Sequence, residues 1–355
     1  MRQLARFSIK GFSDAEIDYY SRQIVFDGIG LSGQRKLKNA RVCVVGVGGL
    51  GSPIVIQLAS MGVGYLRVVD RDIVEASNLQ RQHLYGIDMV GYPKVEAANE
   101  RVRGLNPFIE VDPVPMSVTS RNAERIVEGM DVVVDGLDMM TPRYALNRAC
   151  VKLGIPFVFG AAITNVGSTS TIVPGETPCV ECFQGGIDDD ELPTCAVAGV
   201  HPSIINIIAS IQVSETVRLI TGRKPNLAGA LMYCDLEDLS FERIELARVE
   251  SCPVCGSDPV SEPIPLKHDS FEEICGREGR RVFVFSPDED LGVDLGALNG
   301  RLERLGYQPT VRGRLGTSFI SGTMKGSVLS SGVTVIEGVD GPEVARGIRA
   351  ELLGL

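Results

Sequence analysis

Hydrophobic positions fall into two patterns along the first 160 residues. Five short stretches are apolar and extended, which predicts strands, and the first of them runs into a glycine turn: 40–49, 65–70, 109–114, 131–135 and 156–160. The stretches between them favour helices: 50–61, 94–105, 120–129 and 142–153. Strands that alternate with helices of about 10–15 residues predict a mostly parallel sheet that is covered by helices on both faces.

A different pattern begins after residues 256–267, a segment rich in proline, serine and acids that is typical of a linker. The chain beyond it predicts a strand at 281–285, a helix at 294–305, two or three short strands within 308–337 and a helix at 343–353. The first of these helices places four leucines on one face: Leu295, Leu298, Leu302 and Leu305. We therefore predict two domains, residues 1–260 and residues 261–355, of which the second is a small α/β domain.

Composition and charge exclude several classes of protein. Hydrophobic residues make up 44% of the 355-residue chain and charged residues 23%, which excludes a mainly disordered protein. The net charge of −10 leaves no basic surplus, so nucleic acid is not an expected partner. No apolar stretch reaches the roughly 20 residues of a membrane span, and the first residues lack the apolar core of a secretory signal. We therefore expect a cytoplasmic protein without membrane contact.

A glycine motif stands between the first predicted strand and the first predicted helix. Gly46, Gly48 and Gly51 form G-x-G-x-x-G, and Gly49 lies inside the same loop. Glycines allow the backbone to approach a phosphate, and the helix N-terminus then faces the anion. Asp70 ends the next strand, where a carboxylate reaches a ribose hydroxyl. This pattern predicts a Rossmann-like nucleotide site, but it suits NAD as well as ATP, and on its own it favours a dehydrogenase.

The residues around this loop resemble one family. The stretches Gly33 to Pro53 (GQRKLKNARVCVVGVGGLGSP), Val68 to Gln82 (VVDRDIVEASNLQRQ), Gly91 to Ala98 (GYPKVEAA) and Tyr20 to Gln23 (YSRQ) are similar to the MoeB/ThiF/HesA family, relatives of ubiquitin-activating enzymes. The resemblance covers about residues 15–256, and its SNLxRQ element is more specific than the glycine loop. Members of this family adenylate the C-terminal glycine of a small ubiquitin-like protein.

The charged residues near the loop fit chemistry on ATP better than a hydride transfer. Attack on ATP requires cations that neutralise the phosphates, and the phosphates bring a magnesium ion. The chain offers three cations and three acids in these stretches: Arg22, Arg81, Lys94, Asp70, Asp72 and Asp138.

The resemblance also implies roles for individual positions. It implies that Asp70 binds the ribose, that Arg81 and Lys94 bind phosphates and that Asn78 faces them. By the same resemblance, Asp138 holds magnesium and Arg22 enters the active site of a partner subunit. Asp138 follows a predicted strand and so lies at the carboxyl edge of the sheet, where open α/β sheets bind ligands. Asp135 competes for this role, although it could instead cap the turn, and Met139 stands where the family usually has asparagine.

Two CxxC pairs predict a metal site. Cys179 and Cys182 form the first pair, and Cys252 and Cys255 form the second. Four thiolates make a closed tetrahedral zinc site, which has a structural role because it keeps no open position for catalysis. A redox CxxC is the alternative, although such a motif normally opens a helix after a strand and would not occur twice. The resemblance implies the same structural zinc.

Cys195 is the candidate nucleophile. It lies in a polar segment with acids at 188–191, which would disfavour a thiolate. The segment Thr194 to Val200 fits the TCxxxGV pattern of the family, in which this cysteine can form a thioester or an acyl disulfide with the activated protein. An unreactive loop thiol is the alternative interpretation.

These observations predict ATP-dependent adenylation of the C-terminal glycine of a ubiquitin-like or sulfur-carrier protein. The resemblance implies a homodimer that uses ATP, magnesium and zinc. Residues 261–355 lie outside the resemblance, and their cysteine, Cys275, stands in a helix-like stretch rather than in a rhodanese-type loop, so sulfur would come from an external donor. The alternatives are an NAD-dependent oxidoreductase, a non-catalytic scaffold of the same fold, and an enzyme that adenylates a tRNA or a small-molecule carboxylate.

Overall fold

The structure is a computed structural model that describes residues 11–189, 198–257, 263–266, 270–275 and 281–354. Its strands form two separate sheets, one of eight strands and one of six. The name N-terminal unit is used for the described residues up to 266, and the name C-terminal unit for those from 270 onward. The division into domains at residue 260 stays a prediction.

The larger sheet has the strand order β3-β2-β1-β4-β5-β6-β7-β8. Its strands are β1 Arg41–Val45, β2 Tyr65–Val69, β3 Glu110–Val114, β4 Val132–Asp135, β5 Phe157–Ile163, β6 Val166–Ile172, β7 Ala230–Asp235 and β8 Ser240–Glu245. The strands from β3 to β5 pair in parallel, and those from β5 to β8 pair antiparallel. The predicted parallel sheet is confirmed, and an antiparallel extension that was not predicted follows it.

Eight α-helices of the N-terminal unit precede its longest one in the described residues, together with two 3-10 helices, Ala76–Asn78 and Ile87–Met89. The α-helices are α1 Asp14–Tyr19, α2 Ser21–Ile24, α3 Gly30–Asn39, α4 Gly51–Met61, α5 Lys94–Leu105, α6 Ala123–Val127, α7 Met140–Leu153 and α8 Val180–Gln184. Alternate β1 residues point to opposite faces: Val42 and Val44 pack in a cluster with α4 and α5, whereas Cys43 and Val45 pack in a cluster with α6 and α7. Both faces of the sheet are therefore buried, as a continuous apolar run requires.

The longest helix is α9, Pro202–Thr221. By length and composition alone it could cross a membrane, but half of its most apolar window is buried inside the protein. Ile204 and Ile208 belong to the core that covers β1. The buried Glu215 carboxylate accepts hydrogen bonds from the Leu227 N–H at 2.7 Å and the Thr171 hydroxyl at 3.0 Å. In this fold α9 is a core helix of the N-terminal unit.

The C-terminal unit is a six-stranded antiparallel sheet of order β11-β12-β13-β14-β10-β9 with two helices. Its elements are β9 Phe271–Cys275, β10 Arg281–Phe285, α10 Leu295–Arg304, β11 Gln308–Arg312, β12 Gly316–Ser321, β13 Met324–Leu329, β14 Thr334–Glu337 and α11 Pro342–Leu353. Leu298 and Leu302 are buried as predicted, but α10 ends at Arg304 and leaves Leu305 exposed. The helix-like interpretation of the stretch at Cys275 is wrong, since that residue ends β9.

The C-terminal unit lies directly against the N-terminal unit. The Glu96 carboxylate in α5 accepts hydrogen bonds from the backbone N–H groups of Arg314, at 2.9 Å, and Leu315, at 2.8 Å. The hydroxyls of Ser117 and Ser286 lie 2.7 Å apart. Half of the predicted linker, residues 258–262 and 267, falls outside the described residues. The contacts between the described residues show that the second unit is packed onto the first.

Candidate functional site

The glycine loop closes on itself immediately after β1. Gly46 takes the left-handed conformation, with a φ of 82°, and its N–H donates to the Val69 carbonyl at 2.8 Å. A Cβ at Gly51 would lie 1.8 Å from the Gly46 carbonyl oxygen, so only glycine fits where α4 begins. Leu50, which precedes α4, provides no side-chain cap. The N-terminus of α4 can therefore receive an anion such as a phosphate.

Asp70 fixes this loop from the end of β2. One carboxylate oxygen accepts a hydrogen bond from the Val47 N–H at 2.7 Å, and the other accepts one from the Asp72 N–H at 2.8 Å. Burial raises the pKa of Asp70, and the positive charge of Lys94 opposes that rise. Asp70 therefore lies beside the glycine loop, where the sequence predicts a ribose ligand.

Lys94 brings a positive charge to the same place. Its backbone N–H donates to the Asp72 carbonyl at 2.9 Å, and its Nζ lies 2.7 Å from the Asp72 carboxylate. The Lys94 side chain is only 5% exposed, whereas that of Asp72 is 53% exposed. Burial acts to lower the pKa of Lys94, but the carboxylates of Asp70, Asp72 and Asp138 outweigh it and raise that pKa above its usual value. Lys94 is therefore a cation at neutral pH although it is buried.

Asn78 and Arg81 lie on the turn that follows β2. The Arg81 guanidinium donates to the Ser77 carbonyl and to the Asn78 side-chain oxygen, each at 3.3 Å. These two contacts are long, and a guanidinium carries five N–H groups, so Arg81 keeps donors for an anion. The structure thus places Arg81 and Asn78 together, as the sequence predicts for phosphate ligands.

Gln82 is a candidate site residue that the sequence analysis missed. The side chain is buried, and its Nε2 atom lies 3.7 Å from the position that a Cβ on Gly48 would take. Within the described part of the chain, its Oε1 atom has no hydrogen-bond donor. A buried oxygen without a donor is costly, and the hydroxyl or amino groups of a nucleoside could satisfy it. The sequence signal for Gln82 is its place directly after Arg81 in the SNLQRQ element.

The two acids near the end of β4 have different environments. Asp135 is fully buried, lies 2.7 Å from Arg143 Nε and accepts a hydrogen bond from the Leu137 N–H at 2.9 Å. Asp138 is exposed, and its charge contributes to the raised pKa of Lys94. Asp135 therefore supports the turn. The Asp138 carboxylate, and the Asp72 oxygen that does not contact Lys94, are instead open to a cation such as magnesium, which prefers oxygen ligands.

Four cysteine thiols converge at another place in the N-terminal unit. The Sγ atoms of Cys179, Cys182, Cys252 and Cys255 all lie within 4.8 Å of one another. The Cys179–Cys252 and Cys182–Cys255 pairs are 3.8 and 3.3 Å apart, far longer than the roughly 2.05 Å of a disulfide. A tetrahedral zinc with Zn–S bonds of about 2.3 Å has sulfur atoms about 3.8 Å apart. The cluster therefore fits one zinc ion.

Comparison with known proteins assigns the chain to a family. The sequence profile of the ThiF family matches residues 20–254, well over half of the chain. The chain belongs to the ThiF family. The match confirms the resemblance drawn from the glycine loop, the SNLQRQ element and the paired cysteines.

Several known proteins are similar to this ThiF-family chain. The SAMP-activating enzyme E1 of Haloferax volcanii is 42% identical over 260 residues, which cover 73% of this chain and 93% of that protein. The sulfur carrier protein ThiS adenylyltransferase of Bacillus subtilis is 34% identical over 343 residues, covering 94% and 99%. A crystal structure of E. coli MccB with ATP is 25% identical and has a TM-score of 0.58, covering 64% of this chain and 69% of that one.

The Bacillus subtilis match corrects one expectation. Residues 261–355 were expected to lie outside the resemblance, but a match over 94% of the chain extends into the C-terminal unit. That expectation is therefore wrong for this relative.

The structure does not bring Arg22 to the glycine loop of its own ThiF-family chain. Arg22 is exposed on α2, and its neighbour Gln23 donates to the Met61 carbonyl at 2.7 Å, at the C-terminal end of α4. The loop lies at the opposite end of this 11-residue helix, about 15 Å away along the helix axis. Of the three predicted cations, Lys94 and Arg81 are therefore the two that lie near the loop within one chain.

The predicted nucleophile Cys195 lies outside the described residues. The described stretch before it ends at Asp189. The Asp189 carboxylate accepts hydrogen bonds from the backbone N–H groups of Met140, at 2.5 Å, and Thr141, at 2.9 Å. Asp189 therefore caps the start of α7, and the expectation that the acids at 188–191 disfavour a thiolate at Cys195 stays a prediction.

Proposed function

We propose that this ThiF-family chain uses ATP to adenylate the C-terminal glycine of a ubiquitin-like or sulfur-carrier protein. The observation that supports this most directly is the buried Lys94, which the acids beside the glycine loop keep charged. A nucleotide site for hydride transfer has no need of such a cation. Relatives named as adenylyltransferases, one of which matches 94% of the chain, support the same reaction.

In this proposal the C-terminal carboxylate of the carrier protein attacks the α-phosphorus of ATP. A carboxylate-oxygen-to-phosphorus bond forms, the bond from that phosphorus to the bridging oxygen breaks, and pyrophosphate leaves with the electron pair. The N-terminus of α4 and the side chains of Lys94 and Arg81 offset the charge on the phosphates. Asp70 accepts from the ribose hydroxyls, Asn78 faces the phosphates, and Gln82 Oε1 accepts from the nucleoside.

Magnesium belongs to this proposal as the companion of ATP. Asp138 would hold it, with Asp72 next to it, because both are exposed carboxylates near Lys94. When bound, the ion would neutralise phosphate charge. Asp138→Ala should then lower adenylation about a hundredfold or more while the fold persists.

Zinc on the four cysteines has a structural role in this proposal. It would hold the segment 252–255 against the segment 179–182, which begins α8. Burial raises the pKa of the Cys179 and Cys182 thiols, and a bound cation would instead favour the thiolates that ligate it.

The proposal also includes a homodimer in the cytoplasm and an external sulfur donor. Because Arg22 lies at the far end of α4 from its own loop, it can serve a nucleotide only across a dimer, at the loop of the second copy. After adenylation, Cys195 would accept the acyl group, or an external sulfur nucleophile would take it directly.

The experiment that tests the proposal is ATP–pyrophosphate exchange with candidate carrier proteins that end in glycine. We expect exchange with the intact carrier and none with a carrier that lacks its last glycine. Tight binding of NAD without any exchange would favour the oxidoreductase alternative. Exchange driven by a tRNA or a small carboxylate, with no carrier present, would replace the substrate proposed here.

A further inference from the structure

Arg71 links the candidate nucleotide site to the C-terminal unit. It stands between Asp70 and Asp72 at the end of β2, and its side chain reaches Glu272 in β9. Two parallel contacts join them, Nη1 to Oε1 at 2.8 Å and Nη2 to Oε2 at 3.0 Å. The two side chains are 20% and 28% exposed, so the pair is largely shielded from water. A bidentate pair of this kind fixes the direction of the guanidinium.

Glu272 is one of three carboxylates that act on Arg71. Burial acts to lower the pKa of Arg71, but Glu272, Asp72 and Asp138 together raise it above its usual value. Two of these acids, Asp72 and Asp138, are the exposed carboxylates proposed to receive magnesium. If Glu272 is removed, Asp72 and Asp138 are the remaining acids of these three that attract the Arg71 guanidinium.

The position of Glu272 does not depend on Arg71. Its strand pairs with β10, where Glu272 lies opposite Val284. Other contacts hold the C-terminal unit in place, including the Glu96 carboxylate on two backbone N–H groups and the Ser117–Ser286 hydroxyl pair. Loss of Glu272 alone therefore leaves the two units packed together.

We propose that Glu272 is a positioning residue that holds Arg71 away from Asp138, so that Asp138 stays open to the divalent cation that accompanies the nucleotide. This inference rests on the proposed function, because it concerns the same site. The C-terminal unit then acts directly on that site. Glu272 lies outside the matched residues 20–254, and it determines whether Asp138 remains open to the metal.

The single and double variants should differ in the direction in which their metal affinity changes. In Glu272→Ala, Arg71 turns to Asp138 and competes with the metal, so the apparent metal affinity falls about two- to fivefold, the effect of one solvent-accessible ion pair. In the double variant with Arg71→Ala the competitor is gone, and the metal affinity returns toward that of the wild type. A merely structural role of the pair would instead leave the double variant as weak as the single one, or weaker.

The experiment measures Mn²⁺ binding by electron paramagnetic resonance, with a non-hydrolysable ATP analogue present, for the wild type and the variants. The Mg²⁺ dependence of pyrophosphate exchange is measured in parallel, with the concentration at half-maximal rate separated from the maximal rate. Glu273→Ala is the matched control: Glu273 neighbours Glu272 on β9 but pairs with Arg281 inside the C-terminal unit, at 2.5 and 3.0 Å. Glu272→Gln replaces Glu272→Ala if the latter does not fold.

We expect weaker Mn²⁺ binding in Glu272→Ala, recovery in the double variant and no change in Glu273→Ala. Unchanged Mn²⁺ binding in Glu272→Ala overturns the inference, as does a double variant that fails to recover or a wild type that binds no Mn²⁺ with the analogue. Failure of the proposed function looks different: the wild type would bind Mn²⁺ with the analogue but exchange no pyrophosphate with any carrier.

Discussion

Replacing Lys94 with methionine separates catalysis from stability. Methionine keeps the long apolar stem of this buried side chain and removes only the ammonium group. If that group neutralises the phosphates, the loss should resemble that of a preorganised hydrogen-bond donor, about a hundred- to a thousandfold in rate or about 2.7–4 kcal/mol. The Lys94–Asp72 pair contributes much less to stability, because the carboxylate partner is 53% exposed. We expect the free energy of unfolding to change by at most about 1 kcal/mol.

The pH dependence of this variant gives a second test. Burial already raises the pKa of Asp70 above the ordinary value of 3.8, and Lys94 is the positive charge that opposes the rise. Without Lys94 the pKa of Asp70 rises further, so the folded state holds its proton more tightly than the unfolded state does. The stability deficit should therefore be absent below the ordinary pKa and grow as the pH rises through the new folded value.

Pyrophosphate exchange measures the rate, and urea unfolding at several pH values measures the stability. Lys152→Met is the matched control, because Lys152 pairs with Glu124 on the exposed surface, with side chains 67% and 49% exposed. A Lys94→Met enzyme with near-normal exchange would refute the role of Lys94 in neutralising phosphate. A loss of activity that merely follows a loss of several kcal/mol of stability would refute the separation of the two effects.

Four further predictions concern other parts of the site. Cys255→Ser should remove the zinc and lower the midpoint of thermal unfolding by several degrees, and metal analysis that finds no zinc in the wild type would contradict the metal site. A mixture of inactive Arg22→Ala and inactive Asp138→Ala subunits should regain part of its exchange activity, whereas no recovery after proven subunit exchange would contradict action across a dimer. Cys195→Ala should keep exchange but lose any thiol-sensitive adduct with the carrier, and an adduct that persists would exclude this cysteine. Gly51→Ala should abolish nucleotide binding, because its Cβ would lie 1.8 Å from a backbone oxygen, and normal equilibrium binding of ATP would contradict the tight loop.

Local patterns were enough to predict the parallel half of the larger sheet and the glycine loop. Both faces of β1 are covered by other elements, so its residues from Val42 to Val45 are all apolar. This uninterrupted apolar run is what predicts the strand from the sequence. Strand β6, which begins the antiparallel extension, has no such run, since its sequence is VGSTSTI. In β6 the buried residues include Thr169 and Ser170, whose hydroxyls donate to the carbonyls of Phe159, at 2.7 Å, and Ala230, at 2.8 Å. A strand whose buried residues are polar and hydrogen-bonded in this way shows no apolar pattern from which it could be predicted.

The candidate site shows the same limit. Residues that share a motif, such as Arg81 and Asn78, could be predicted together because a few positions separate them. The Arg71–Glu272 pair joins residues 201 positions apart, and neither residue lies in a pattern that points to the other. The unsatisfied oxygen of Gln82 is equally invisible in the sequence, because it results from the burial of the amide by the whole fold. Contacts that depend on how the two units pack could be found only in the structure.

The first turn of α5 contributes both to the candidate nucleotide site and to the contact between the two units. Lys94 turns to Asp72, and Glu96, two positions later, binds the backbone of the C-terminal unit at Arg314 and Leu315. Heat that frays this helical turn breaks both contacts at once, so we expect the two units to melt as one cooperative body. The same arrangement limits modular evolution: a recombination event that exchanged the C-terminal unit for an unrelated one would leave the Glu96 carboxylate without its donors.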